Sequence, residues 1–322
     1  MIKFSILIPF WDLGYKDIKK MLNSIPNRND VEVLLLDNAS NQQLFRKEDV
    51  QLCDLQFSIN RITERATVGK CRNILIEQAQ GEWIILADAD DQYFTEQLQL
   101  VLDSPLIEDY DIVYWGSQTL FTDGKIFNDS YGFRGSEIQP LTDKSFLMQH
   151  RYEAWRKMVR RELLIQNPDI RFEDRSFYED ILYSIKLLNS TKRIGVSPRL
   201  VYQYVKNDTS LLTRRFEKSI LVDAMRSVFT AMDIIRENHY SLLGQEISRG
   251  CLIKMKQTSS IQFFKYLFVE WNRYGWKLFY RDLVGAGFET YETNLFVAII
   301  NHCRVKAGKI KCFVLKTLNI QK

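Results

Sequence analysis

The chain has 322 residues, enough for one large domain or two closely packed ones. Hydrophobic residues make up 46% and charged residues 26%, the balance of an ordinary soluble globular protein. The 44 basic and 40 acidic side chains leave a net charge of +4 spread along the chain, so nucleic acid is not an expected partner. In chain order, the first 115 residues alternate short apolar runs with amphipathic stretches. The run at residues 4–8 stops at Pro9 and is too short for a secretory signal. Nowhere do about 18 apolar residues follow one another, so no transmembrane helix is expected. Further runs at 31–36, 83–87 and 111–115, and a weaker, partly polar one at 56–60, are predicted strands. Helices are predicted over 16–24, with Ile18, Met21, Leu22 and Ile25 on one face, and over 68–79, with Cys71, Ile74, Leu75 and Ala79 on one face. Runs that are apolar throughout suit strands covered on both faces, and the alternation predicts a doubly wound, mainly parallel sheet with right-handed crossovers.

Residues 116–215 read differently. Thr122-Asp123-Gly124-Lys125 predicts a hairpin turn, and helices are predicted over 152–164 and from 179 to 188. From about residue 215 the chain reads as mostly helical, basic and aromatic. The five cysteines form no C-x-x-C pair, and the three histidines lie far apart in sequence. That usage fits a reducing cytoplasm and argues against a disulfide framework or a zinc site.

Ligands of doubly wound sheets bind at the carboxyl ends of the strands. Those ends read Pro9-Phe10-Trp11-Asp12, Asp37-Asn38-Ala39-Ser40 and Asp88-Ala89-Asp90-Asp91. Three carboxylates within four residues repel one another, which makes sense around a divalent cation. A solvated acidic turn that caps the next helix is the plainer alternative, and spacing alone leaves both open. No G-x-G-x-x-G follows the first strand, which excludes a dinucleotide-binding oxidoreductase, and Gly69-Lys70 lacks the rest of a P-loop.

Ala66-Thr67-Val68-Gly69-Lys70-Cys71-Arg72-Asn73 leads into Gly81-Glu82-Trp83-Ile84-Ile85-Leu86-Ala87-Asp88-Ala89-Asp90-Asp91. The pair resembles the G-x-x-x-A-R-N and A-x-G-E-Y-I-x-F-L-D-x-D-D segments of family 2 glycosyltransferases of the GT-A fold. Ser5–Trp11, Leu36–Ser40, Arg171-Phe172 with Tyr178-Glu179-Asp180-Ile181, and Ala154–Leu164 are similar to that family's other motifs, the last as found in capsule and O-antigen members. The likeness covers about residues 1–215, in order. Cys71 stands where alanine is usual, Asn38 for the second aspartate, Ala39 for glycine and Asp12 for asparagine.

The resemblance implies a mixed, mainly parallel α/β sheet flanked by helices. Residues 1–115 would form its nucleotide-sugar half and 116–215 its acceptor half, with a helical extension over 216–322. It implies an inverting glycosyltransferase with a nucleotide-sugar donor, UDP-sugar favoured, and a glycan or lipid-linked glycan acceptor in surface polysaccharide synthesis. Asp37 would bind the donor base; Pro9, Phe10, Arg72 and Asp88 would lie near the nucleotide. Asp90, with Asp88, would ligate Mg²⁺ or Mn²⁺, and Asp180 would be the base that deprotonates the acceptor. Trp155 and Glu179 fall on the acceptor side. Lys206, in a segment like the family's Y-x-Y-R loop, would touch phosphate or lie in solvent. A metal-dependent nucleotidyltransferase and a non-catalytic subunit of a polysaccharide assembly complex are the competing readings. Residues 256–322 interleave aromatics with lysine and arginine, which suits peripheral contact with the inner face of the cell membrane, a helical bundle packed on the catalytic domain or an oligomer interface.

Overall fold

In the computed structural model, which describes residues 1–41, 55, 57–144, 147, 152–206, 230, 231 and 234, the N-terminal apolar run becomes β1 (Phe4–Phe10). It carries side chains into the interior on both faces. Leu7 packs into one core layer, whereas Phe4, Ile6 and Ile8 pack into the other. Both layers need a cover, and the helices supply it. After α1 (Tyr15–Asn23) come β2 (Val31–Asn38), β3 (Phe57–Ile62), α2 (Val68–Gln78), β4 (Trp83–Leu86) and β5 (Gln92–Tyr93). Next are α3 (Thr95–Leu102), β6 (Ile112–Leu120), β7 (Ile126–Asp129) and β8 (Gln139–Pro140). Finally come β9 (Lys157–Arg160), α4 (Arg161–Gln166), α5 (Glu179–Ser190) and β10 (Ile194–Val205). Apolar residues of α2 and α5 fill the layer around Leu7, and those of α1 and α3 fill the layer around Ile6.

The ten strands form one sheet in the order β3-β2-β1-β4-β9-β6-β10-β5, with β7 paired to β6 and β8 to β10. From β3 to β4 every pairing is parallel. Then β9 runs antiparallel between β4 and β6, after which β10 runs parallel to β6. The sheet is therefore mixed and mainly parallel, as expected. The predicted hairpin turn joins β6 to β7, with Leu120 opposite Ile126.

One expected element is replaced. Residues 152–164, read as a helix, form a 3₁₀ turn (Ala154–Arg156), strand β9 and only then helix α4. The basic and apolar residues there fit a helical period, but Met158 and Val159 are each wanted on opposite faces of the sheet between β4 and β6. Pairing on both edges outweighs local propensity. The expected C-terminal extension over 216–322, including the membrane-contact segment 256–322, lies outside the described residues apart from 230, 231 and 234.

Candidate functional site

The acidic turn begins where β4 ends, in the middle of the sheet. Asp88 is about one-third exposed, Asp90 is exposed, and Asp91 is buried. Burial, reinforced by the charges of Asp88 and Asp90, pushes the Asp91 carboxyl well above the usual carboxylate range. Tyr202 of β10 donates its hydroxyl to Asp91 Oδ2 at 2.9 Å, and the Val205 amide donates to Oδ1 at 2.7 Å.

Helix α2 brings a cation to this turn. Its first turn is capped by the Thr67 hydroxyl, which accepts the Lys70 amide at 3.2 Å. Gly69 then lies against the 173–175 backbone: its amide donates to the Arg175 carbonyl at 3.0 Å. Asn73 clamps Phe172 in both directions, donating to its carbonyl at 2.8 Å and accepting its amide at 3.0 Å. Thr67 donates to Asp174 at 2.6 Å. Residues 67–73 thus form a clasp that holds the segment leading into α5. Between the two, Arg72 is 5% exposed and bridges two carboxylates. Nη2 donates to Asp88 Oδ1 at 2.8 Å, and Nη1 donates to Glu179 Oε1. Burial opposes its charge, but Asp88 and Glu179 hold the guanidinium protonated. Cys71, beside it, is buried, and desolvation pushes its thiol up to about 11, which is no setting for a nucleophile.

α5 opens at Tyr178, a non-glycine residue in the left-handed region with φ of 56°. Glu179 and Asp180 occupy its first turn, at the positive end of the helix. A helix N-terminus by itself favours an ionised carboxylate. The site acts the other way: burial first, then the Glu179 charge, raises the Asp180 carboxyl, with Arg72 and Lys157 opposing. Glu179 is likewise raised by burial and lowered by Arg72. Lys157 of β9 is 1% exposed. Its ammonium donates to the Glu153 carbonyl and to Ser184 Oγ, each at 2.9 Å, and burial lowers its proton affinity. Lys157 and Tyr202 carry no distinguishing signal in the sequence, and Asp91 is marked there only as one of the three carboxylates of the acidic turn.

At the ends of β1 and β2 the residues are held by one another. Asp37 is buried; it accepts the Ser40 amide at 2.8 Å and pairs with Arg61 at 3.1 Å. It therefore closes the turn after its strand. Asn38 donates to the Ala66 carbonyl at 2.9 Å and accepts the Ala66 amide at 2.7 Å, a pairing that an ionised aspartate at this position could not make. Ala39 has φ of 55°, the conformation that favours glycine there. Phe10 is buried in register with Asp37, next to half-buried Pro9. Trp155 is also buried, stacked on Tyr202 at 4.5 Å and on Tyr204 at 5.9 Å. Lys206 is exposed past the end of β10, with its ammonium 5.1 Å from the centre of the Phe121 ring. The structure thus brings Arg72, Asp88, Glu179 and Asp180 together, with Asp90 on the same acidic turn as Asp88. Asp37, Pro9 and Phe10 stand at the neighbouring strand ends.

Among the described residues, no group of three or more His, Cys, Asp or Glu side chains converges as a metal cage. Mg²⁺ and Mn²⁺ do not need one. Such ions are held by one or two carboxylates together with substrate phosphates and water. Asp88 and Asp90 supply oxygen ligands of that kind. Around them Asp91, Glu179 and Asp180 are all pushed upward, first by burial and then by neighbouring carboxylates, so a cation nearby would favour their ionised forms. The residues present fit a divalent cation.

The chain is 26% identical over 212 residues to the poly(ribitol-phosphate) beta-N-acetylglucosaminyltransferase TarS of Staphylococcus aureus. That match covers 63% of this chain but only 35% of TarS. EpsJ of Bacillus subtilis, an uncharacterized glycosyltransferase, is 22% identical over 251 residues, covering 74% of this chain and 71% of that protein. The crystal structure of S. aureus TarS 1-349 in complex with UDP-GlcNAc superposes with a TM-score of 0.62 at 21% identity. It covers 88% of this chain and 82% of that one. The fold is accordingly GT-A. The profile described as "Glycosyl transferase family 2" matches residues 5–170, which include β1, the α2 clasp and the acidic turn. Because that profile spans just over half of its length, the chain belongs to family 2 of the glycosyltransferases.

Proposed function

We propose that the protein transfers a sugar from a UDP-linked donor to a hydroxyl of a glycan or lipid-linked glycan of a surface polymer, inverting the anomeric carbon. The observation that carries this reading is the meeting of Arg72, Asp88 and Glu179, with Asp180 beside them, at the carboxyl end of β4. The resemblance to TarS favours an N-acetylhexosamine as the sugar and a surface polymer as the acceptor.

The roles follow from chemistry. Asp180 takes the proton from the attacking acceptor hydroxyl; a carboxyl with raised proton affinity is a stronger base than an exposed one. Arg72 fixes Glu179 and Asp88 in place, so the base and the acidic turn keep one spacing. Asp88 and Asp90 would hold Mg²⁺ or Mn²⁺, which would offset the charge left on the departing diphosphate. Asp37, Pro9 and Phe10 line the neighbouring strand ends, where the nucleoside would lie. The basic, aromatic region 256–322 would bring the enzyme to the inner face of a membrane, where lipid-linked acceptors reside; flotation with anionic liposomes tests that part. No helix among the described residues is long and apolar enough to cross a membrane.

The test is UDP release from a panel of UDP-sugars with Mn²⁺, followed by NMR of the linkage formed. UDP release with an inverted product supports the reading. A retained configuration would overturn inversion. Pyrophosphate release from a nucleoside triphosphate and a sugar phosphate would point to nucleotidyl transfer instead.

A further inference from the structure

Of the three carboxylates in the acidic turn, Asp91 is the one the interior keeps: it is 1% exposed. A buried carboxylate beside two others costs free energy unless its oxygens are satisfied, and here β10 satisfies both. Tyr202 donates to Oδ2 and Val205 to Oδ1. The Tyr202 hydroxyl also accepts the Asp88 amide at 3.0 Å. One phenol therefore joins the backbone of the first carboxylate of the turn to the side chain of the last. Val205, the neighbour of Lys206, is bound to the same Asp91 carboxylate. The Tyr202 ring has little room to swing. It stacks on Trp155 with 13° between the planes and meets Tyr93 edge-on at 5.1 Å.

We propose that Tyr202 and Asp91 are positioning residues that lock the acidic turn and the Val205–Lys206 segment into one unit, preset for a nucleoside diphosphate with its divalent cation. The proposal rests on the donor-site reading above. A turn already held at one spacing does not have to be ordered when the ligand arrives, so removing the tie should weaken binding rather than unfold the chain. Tyr93 provides the control. It is buried in the same aromatic group, but its hydroxyl has no hydrogen-bond partner among the described residues.

Calorimetric titration of UDP with Mn²⁺ and with EDTA, on the wild type, Tyr202→Phe, Asp91→Asn and Tyr93→Phe, tests the inference. Tyr202→Phe is expected to bind UDP about tenfold more weakly with Mn²⁺, the upper end of what one net hydrogen bond contributes. Its Tm should fall modestly below that of Tyr93→Phe, because Asp91 Oδ2 and the Asp88 amide lose a partner, but the chain should still fold, and UDP binding in EDTA should not change. With Lys206→Ala added, the two losses should be less than additive, because both act on one unit. Unchanged Mn²⁺-supported affinity in Tyr202→Phe would overturn the inference, as would an equal loss in Tyr93→Phe. Should Tyr202→Phe fail to fold, Asp91→Asn decides by the same readings. A wild type that binds no UDP with Mn²⁺ would overturn the donor-site reading, and this inference with it.

Discussion

A Cβ on Gly69 would lie 1.9 Å from the Glu173 carbonyl oxygen, so only glycine lets α2 dock on the segment that leads to α5. The obstacle is backbone, which cannot rotate away as a side chain could. Gly69→Ala is therefore expected to push residues 173–175 off the clasp and to separate Glu179 from Arg72. Overpacking of this kind costs about 1–3 kcal/mol. Thermal unfolding and UDP-sugar turnover should fall together. A variant with wild-type Tm and rate would show that the clasp does not set the site.

Arg72 serves two carboxylates at once, and Glu179 is buried beneath it. Arg72→Met leaves Glu179 without its cation and should cost about 3–5 kcal/mol, as measured by urea unfolding. Glu179→Gln in the same chain should restore part of that loss, because it removes the stranded charge. If the double variant is no more stable than Arg72→Met, the pair is not coupled.

Asp180→Asn keeps the shape of the base and removes its basicity. Turnover should drop by about 10² to 10⁴ while UDP affinity holds. Stability should move the other way. Because burial and Glu179 raise the Asp180 carboxyl in the folded state, ionising it opposes folding, so its contribution is present at low pH and lost as pH rises through the folded-state value. The Tm advantage of Asp180→Asn should accordingly widen from acid to alkaline pH. An advantage that shrinks with rising pH would mean that the carboxylate is stabilised as an ion.

The same shift fixes the acid limb of the pH–rate profile. An exposed aspartate titrates at about 3.9; the limb for kcat/KM should lie well above that, and the rate should rise with pH as Asp180 ionises. A limb at the ordinary aspartate value would remove Asp180 as the base.

Asp90 is exposed on the turn beside Asp88. With UDP-sugar and Mn²⁺ at 100 times the dissociation constant, the wild type should gain about 2.7 kcal/mol of stability. Asp90→Asn should lose most of that gain, and EDTA should abolish it in the wild type. Equal stabilisation by UDP-sugar in EDTA would sink the cation bridge.

Strands β1, β2 and β4 were legible in the sequence because each is apolar on both faces and stops at a turn signal; Phe4, Leu7 and Ile85 give themselves away, whereas β3, with Ser58, Asn60 and Arg61, gave a weaker signal. β9 was not. Lys157 ordinarily marks a solvated position, and only burial against Ser184 and the Glu153 carbonyl makes it an inward residue of a strand. The acidic turn was visible as a motif. The tie between Arg72 and Glu179 spans 107 residues, and no local spacing reports a bond of that length. Asp37 shows the opposite limit: its type and place were evident, but not that Arg61 and Ser40 would engage its oxygens.

The antiparallel insertion of β9 also has a bearing on synthesis. Until residue 160 has left the ribosome, Trp83–Ile85 of β4 and Ile112–Tyr114 of β6 lack the strand that lies between them, and these buried stretches present unpaired edges. Such edges recruit other chains. The nascent half is therefore prone to associate with other chains at this step. A chain cut shortly before Lys157 should collect in inclusion bodies, however sound its nucleotide-binding strands, and a cut after β10 should not.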